Sequence, residues 1–234
     1  PLVPLGLFTD RNFSLANVGI SAVGFAVTAL GFPLMLYTQA VLGYTPTQAA
    51  LLLVPMAVMS ILLARFVGRL TDRVHPRYLA GFGTFTVSVS LVWLSRVMAP
   101  DAEVWQLLLP ITLLGIGSSF MWSPLGTSAT RNLPMDRAGA GAGVYNTTRQ
   151  VGSVLGSAGI AALMQSRLVV HLPQLTGGQV SRAEGGATRL PEPLQQGFAA
   201  AMADSLLLPA AVVLVACVAA LFFARPRHLV RENS

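Results

Sequence analysis

The chain has 234 residues, 53% of them hydrophobic and only 10% charged, with a formal net charge of +6. Soluble domains carry roughly 25% charged residues, so this composition, with a mean hydropathy of +0.64, points to lipid as the solvent. The positive charge does not describe a nucleic-acid partner, because the arginines lie between apolar runs rather than on a solvated basic face.

Six apolar runs are long enough to cross a hydrocarbon core of ~30 Å, which takes about 20 helical residues, and the predicted fold class is an all-α membrane protein. The first span covers about Leu15 to Val41. The second covers about Thr47 to Phe66, opened by Thr45 as N-cap, Pro46 in the first turn and Gln48 closing a capping box. The third runs from about Tyr78 to Met98, the fourth from Val104 to Leu125 and the fifth from Ala140 to Met164. The sixth ends near Ala224 and begins between Gln195 and Leu206. The chain thus divides into a lead-in (1–12), five spans (13–165), a loop (166–194) rich in Gly and Pro, a sixth span (195–224) and a tail (225–234). A membrane β-barrel would need alternating segments of ~10 residues, and the sequence has no such pattern. Pro1 is followed by no signal-peptide pattern, and the chain reads as a piece of a longer protein.

Between the second and third spans lies Gly68-Arg69-Leu70-Thr71-Asp72-Arg73-Val74-His75-Pro76-Arg77-Tyr78-Leu79. It reads as a short charged hairpin. Placing it in the cytoplasm puts both ends of the chain there and leaves ten arginines inside (11, 65, 69, 73, 77, 131, 137, 225, 227 and 231) against four outside (96, 167, 182 and 189). The positive-inside rule selects that orientation. The 166–194 segment then becomes an external, mobile loop.

Candidate chemistry is sparse. The chain has no lysine, which excludes a Walker A loop and Schiff-base catalysis. Cys217 has no disulfide partner and reads as a small buried side chain. His75, His171 and His228 fall outside the spans, and no acidic residue falls at the middle of one, so neither an enzyme nor a metal centre nor a bound cofactor is expected. His171, with no ligand cluster around it, reads as a solvated loop residue. Arg149 is the exception. It lies about ten residues into the fifth span, roughly 15 Å deep at 1.5 Å per residue, where a charge marks either a function or a specific partner. Asn146, Thr147, Thr148 and Gln150 form a polar belt around it, with Asn146 sharing its face. A purely structural clamp of Arg149 onto neighbouring carbonyls is the alternative.

The same span repeats small residues every four positions, at Gly139 and Gly143 and again at Gly152 and Gly156. That spacing lets helices approach closely, as static packing or as a sliding surface. Pro124 lets the fourth span bend. Gln39 closes the first span, and Met35, Met56, Met59, Met121 and Trp122 are soft or aromatic groups suited either to an apolar pathway or to plain packing.

The hairpin resembles the motif that joins the second and third helices of the major facilitator superfamily and recurs in its second half. Gly68, Leu70, Asp72, Arg73, Arg77 and Leu79 carry the resemblance, while His75 and Pro76 stand where Gly and Arg are usual, as in the weaker second copy. Two further stretches resemble the fourteen-helix drug–proton antiporter branch. One is Leu36-Tyr37-Thr38-Gln39 with Leu42-Gly43-Tyr44-Thr45-Pro46 and Ala49. The other is the Gly-rich run Arg137 to Gly143 followed by Asn146, Arg149, Gly152 and Gly156.

This resemblance spans about Leu7 to Ala224 and implies that the six helices form the C-terminal half of such a bundle, partnered by a missing N-terminal half. It implies alternating access about a central site, with small-molecule drugs and protons as cargo and a bacterial cytoplasmic membrane as location. Gly68, Asp72, Arg73 and Arg77 would form a gating latch, Asp72 facing the positive end of a helix in the other half. Gln39, Asn146 and Arg149 would line the cargo path. Departures are plain: the family's intramembrane Arg motif is replaced by Ile111, and its proton-coupling carboxylates belong to the other half. A truncated, inactive membrane protein and a facilitator for one specific solute are the competing readings.

Overall fold

The computed structural model describes residues 8–130, 135–173 and 189–222. Every regular element among them is helical: α1 (Arg11–Ala40), α2 (Pro46–Leu51), α3 (Val54–Thr71), α4 (Pro76–Val97), α5 (Val104–Thr130), α6 (Met135–His171), α7 (Glu192–Ser205) and α8 (Leu207–Leu221). Taking α2 with α3 and α7 with α8, six helical spans have the length and apolarity to cross a membrane.

The local signals act as their chemistry requires. Asp10 caps α1 by accepting from the Phe13 amide at 2.8 Å. Thr45 and Gln48 close their reciprocal capping box at the start of α2. His75 caps α4 through Nδ1, which accepts from the Arg77 amide at 3.1 Å. The turn after α1 closes at Gly43, whose φ of +72° suits glycine.

Two spans are broken where the sequence reads as continuous, and the cause is the same. Pro55 stands four residues after Leu51, the last residue of α2, and Pro209 stands four residues after Ser205, the last of α7. Proline has no amide hydrogen to donate back to that carbonyl, so each helix restarts at its next turn. Other boundaries also move. The first helix begins at Arg11, inside the expected lead-in, and the hairpin shrinks to Asp72–His75 because α3 runs on to Thr71 and α4 starts at Pro76. The fifth span runs from Met135 to His171 rather than from Ala140 to Met164. The residues after Met164 were expected in the 166–194 loop, but buried Leu168 and Leu172 hold this extension against the bundle. Residues 192–194 likewise belong to α7 rather than to the loop.

The helices form two layers. α3 packs on α5, α5 on α1 and α1 on α6, making one row; α4 and α8 lie behind it, α4 against α5 and α8 against α1 and α4. α7 fills the gap beside α6 and α1. Two apolar clusters hold the layers together, one around Ala16, Ile20, Leu125 and Ala216 at the hairpin end, the other around Tyr37, Leu94, Ile111 and Phe198 at the far end. Tyr37 donates its hydroxyl to the Ala99 carbonyl at 2.6 Å and ties α1 to the turn between α4 and α5.

Backbones meet where side chains vanish. A Cβ at Gly152 or Gly156 would strike the carbonyls of Ser21 and Phe25, and one at Gly24 the carbonyl of Arg149. The small residues thus let α1 and α6 touch main chain to main chain.

Candidate functional site

The hairpin is anchored from behind and open in front. Thr71 is buried; its hydroxyl donates to the Val67 carbonyl at 2.7 Å and lies 3.5 Å from Ser123 Oγ on α5. Asp72, as C-cap of α3, is exposed, and so are Arg73 and Arg77. The Arg77 guanidinium lies 5.5 Å from the centroid of the Tyr78 ring, a cation–π distance. A Cβ at Gly68 would meet nothing within 4 Å, so the face one turn before Asp72 is vacant within the described bundle.

Between α1, α3 and α5, with α4 and α8 as its floor, lies an apolar cavity of about 330 Å³. Its wall includes Met35, Met56, Met121 and Trp122, four of the five soft or aromatic groups singled out in the sequence; Met59 is not among its lining residues. Gln39 is not among them either. It is half-buried on a different face of α1, and its neighbour Thr38 lines the cavity instead. A helix turns about 100° per residue, so a signal at the end of a span does not say which of two neighbours points inward.

The polar belt lies in the interior of α6. With the helix starting at Met135, Arg149 is about 21 Å along it, and about 16 Å from Ala138, where the apolar span begins, at 1.5 Å per residue. Arg149 is half-buried, and Asn146, Thr147 and Gln150 are exposed. Asn146 Nδ2 donates to the Ala142 carbonyl at 3.0 Å and Thr147 Oγ1 to Gly143 at 2.9 Å, so the belt satisfies donors on its own helix. Along the same helix the four glycines separate into two pairs. Gly152 and Gly156 are buried against α1, whereas a Cβ at Gly139 or Gly143 would meet nothing within 4 Å. The second pair has no packing role within the described bundle.

One pair was not legible. His171 Nε2 lies 2.9 Å from Asp204 Oδ2, joining the end of α6 to α7 with side chains 30% and 40% exposed. His171 closes the Ala138–His171 span, and Asp204 lies within the Glu192–Leu221 span, about 18 Å along it. This corrects the expectation of a solvated histidine in a loop. Only the fold brings these residues, 33 apart in sequence, together.

Residues 1–157 match the family profile described as the Major Facilitator Superfamily. The chain belongs to the major facilitator superfamily. It is 46% identical over 95% of its length to an uncharacterized MFS-type transporter of Mycobacterium tuberculosis, of which it covers 39%. It is 34% identical over 68% of its length to the cephamycin export protein CmcT of Amycolatopsis lactamdurans, covering 33% of that protein. It is 27% identical over 75% of its length to the multidrug export protein EmrB of Escherichia coli, covering 34% of it. The chain thus spans between a third and two fifths of the length of these curated relatives. Six helices of crossing length in a superfamily of transporters make it part of a multi-pass membrane protein.

Proposed function

We propose that this chain is the C-terminal half of a proton-coupled exporter of apolar or cationic small molecules, working by alternating access in a bacterial cytoplasmic membrane with both its ends on the cytoplasmic side. The observation that carries this reading is the contrast between the two layers. From Tyr78 to Trp93 every exposed residue of α4 (Tyr78, Phe82, Phe85, Val89, Val92 and Trp93) is aromatic or valine, at alternating spacings of four and three as far as Val92, with Trp93 beside it. Such a stripe suits lipid tails. The row α3–α5–α1–α6 also exposes apolar residues such as Ile61, Leu62, Val151 and Val154, but interleaves them with exposed Asp72, Asn146, Thr147 and Gln150 and with the vacant glycines 68, 139 and 143. Polar side chains and missing side chains suit another helix bundle far better than they suit lipid.

The relatives' greater length leaves room for a second half of at least comparable size. Asp72 then faces the positive end of one of its helices, an interaction worth about 0.3–1 kcal/mol and more when partly buried. Arg73 and Arg77 keep that end of the bundle on the cytoplasmic side. Arg149 and Asn146 lie toward the central path, and the apolar cavity receives the cargo. The export named for CmcT and EmrB is in keeping with this direction of transport.

The test is transport by the complete chain in inverted membrane vesicles. An imposed inward-acid gradient should drive ethidium accumulation, and collapsing the gradient should stop it. Ethidium uptake indifferent to the gradient would contradict proton coupling; gradient-driven uptake of a sugar or peptide but not of ethidium would favour a solute-specific carrier.

A further inference from the structure

Gly31 stands in the wall of the apolar cavity, and a Cβ placed on it would meet nothing within 4 Å. The other glycines of α1 differ. Gly19 abuts Leu125, and Gly24 lies against the Arg149 carbonyl, so each is small because another element needs the space. Among the described residues no such neighbour explains Gly31. A helix-interior glycine is less stable than alanine in the same place, so a glycine without a packing role keeps space free for something else.

The rest of the wall indicates what enters that space. Its three hydroxyls are turned to main-chain carbonyls: Ser60 donates to Gly115 at 3.3 Å, Ser118 to Leu114 at 2.7 Å and Thr38 to Leu34 at 3.0 Å. Their hydrogens are therefore committed, and the remaining surface is chiefly aliphatic, thioether and indole. At about 330 Å³ the cavity is roughly twice the ~150 Å³ apolar void that takes one benzene.

We infer that Gly31 is a specificity-determining residue: it sets the upper size of the apolar, ring-bearing part of the cargo that this cavity accepts. A side chain there leans toward the N-terminus of α1, in the direction of Val27, which also lines the cavity. Its Cβ enters without meeting any described atom within 4 Å. The inference rests on the transport reading above for its meaning as specificity, but not for the binding it predicts.

The experiment uses the complete transporter in lipid nanodiscs with Trp122 as its only tryptophan, Trp93, Trp105 and any others being replaced by Phe. Trp122 lines the cavity, so bound bromobenzene (one ring) or 9-bromoanthracene (three fused rings) quenches it. Gly31→Phe should raise the 9-bromoanthracene midpoint at least about tenfold, the scale of losing one ring's apolar contact, and leave bromobenzene within about twofold. Gly31→Ala, with the same restricted backbone but little volume, should bind both probes as wild type does. Equal loss of both probes in Gly31→Phe, no loss of either, or Gly31→Ala matching Gly31→Phe would each overturn the inference; the last would assign Gly31 to backbone flexibility beside Pro33. If the probes behave as expected and the complete chain shows no gradient-driven efflux, the size limit stands and the transport reading falls.

Discussion

His171 on α6 and Asp204 on α7 meet at 2.9 Å across the 20-residue-long gap that separates the two helices. Asp204 lies one residue before the last residue of α7, so the pair fastens α6 to the segment of the sixth span that precedes its break. Side chains exposed to this degree gain less than a fully buried pair, but the bond is charge-assisted when His171 carries its proton. His171→Leu is expected to cost about 1 kcal/mol. Thermal unfolding of the detergent-solubilised protein should show Tm lowered by a few degrees, on the order of 2–4 °C. An unchanged Tm in both His171→Leu and Asp204→Asn would mean that the contact contributes nothing.

Gly152 and Gly139 occupy equivalent places in the same repeat and should respond in opposite ways. Gly152→Val drives a side chain into the Ser21 carbonyl, and backbone cannot swing aside as a side chain can. Overpacking costs typically 1–3 kcal/mol and more when main chain must move, so this variant should be lost from the monodisperse fraction in size-exclusion chromatography. Gly139→Val meets open space and should fold normally. Its effect should appear only in transport, where the added bulk obstructs the surface assigned to the other half.

Arg149 separates a structural clamp from a working charge. Arg149→Met keeps length and apolar packing while removing the guanidinium. If the charge serves the cargo path, efflux should fall about tenfold or more with membrane level and Tm unchanged. A loss of Tm that parallels the loss of efflux would assign Arg149 to the α6–α1 contact instead, where its carbonyl already lies against Gly24.

How much of this was readable beforehand depended on whether the signal was local. The apolar runs, the capping box at Thr45 and the charged hairpin each act within a few residues, and the helices start there; the cap at His75 is equally local but was not singled out in the sequence. The breaks at Leu52–Leu53 and Leu206 were also local in cause, yet each proline falls among apolar residues that keep the composition of a span, so hydropathy passes over it. Helix α6 outlasts its apolar run because Leu168 and Leu172 are buried by neighbours, which Gln165, Ser166 and Arg167 conceal in the sequence. The cavity, the different fates of Gly139 and Gly152, and the His171–Asp204 contact are all tertiary. Identical spacing cannot tell a glycine pressed against a carbonyl from one facing open space.

The central claim is that the hairpin of this half latches against a second half, and Asp72→Asn tests it most directly. The substitution keeps shape and hydrogen-bonding capacity and removes the charge. The initial rate of gradient-driven ethidium transport by the complete chain should fall about three- to tenfold, in keeping with losing a carboxylate from a helix end, at wild-type membrane levels. A wild-type rate from Asp72→Asn would contradict the latch.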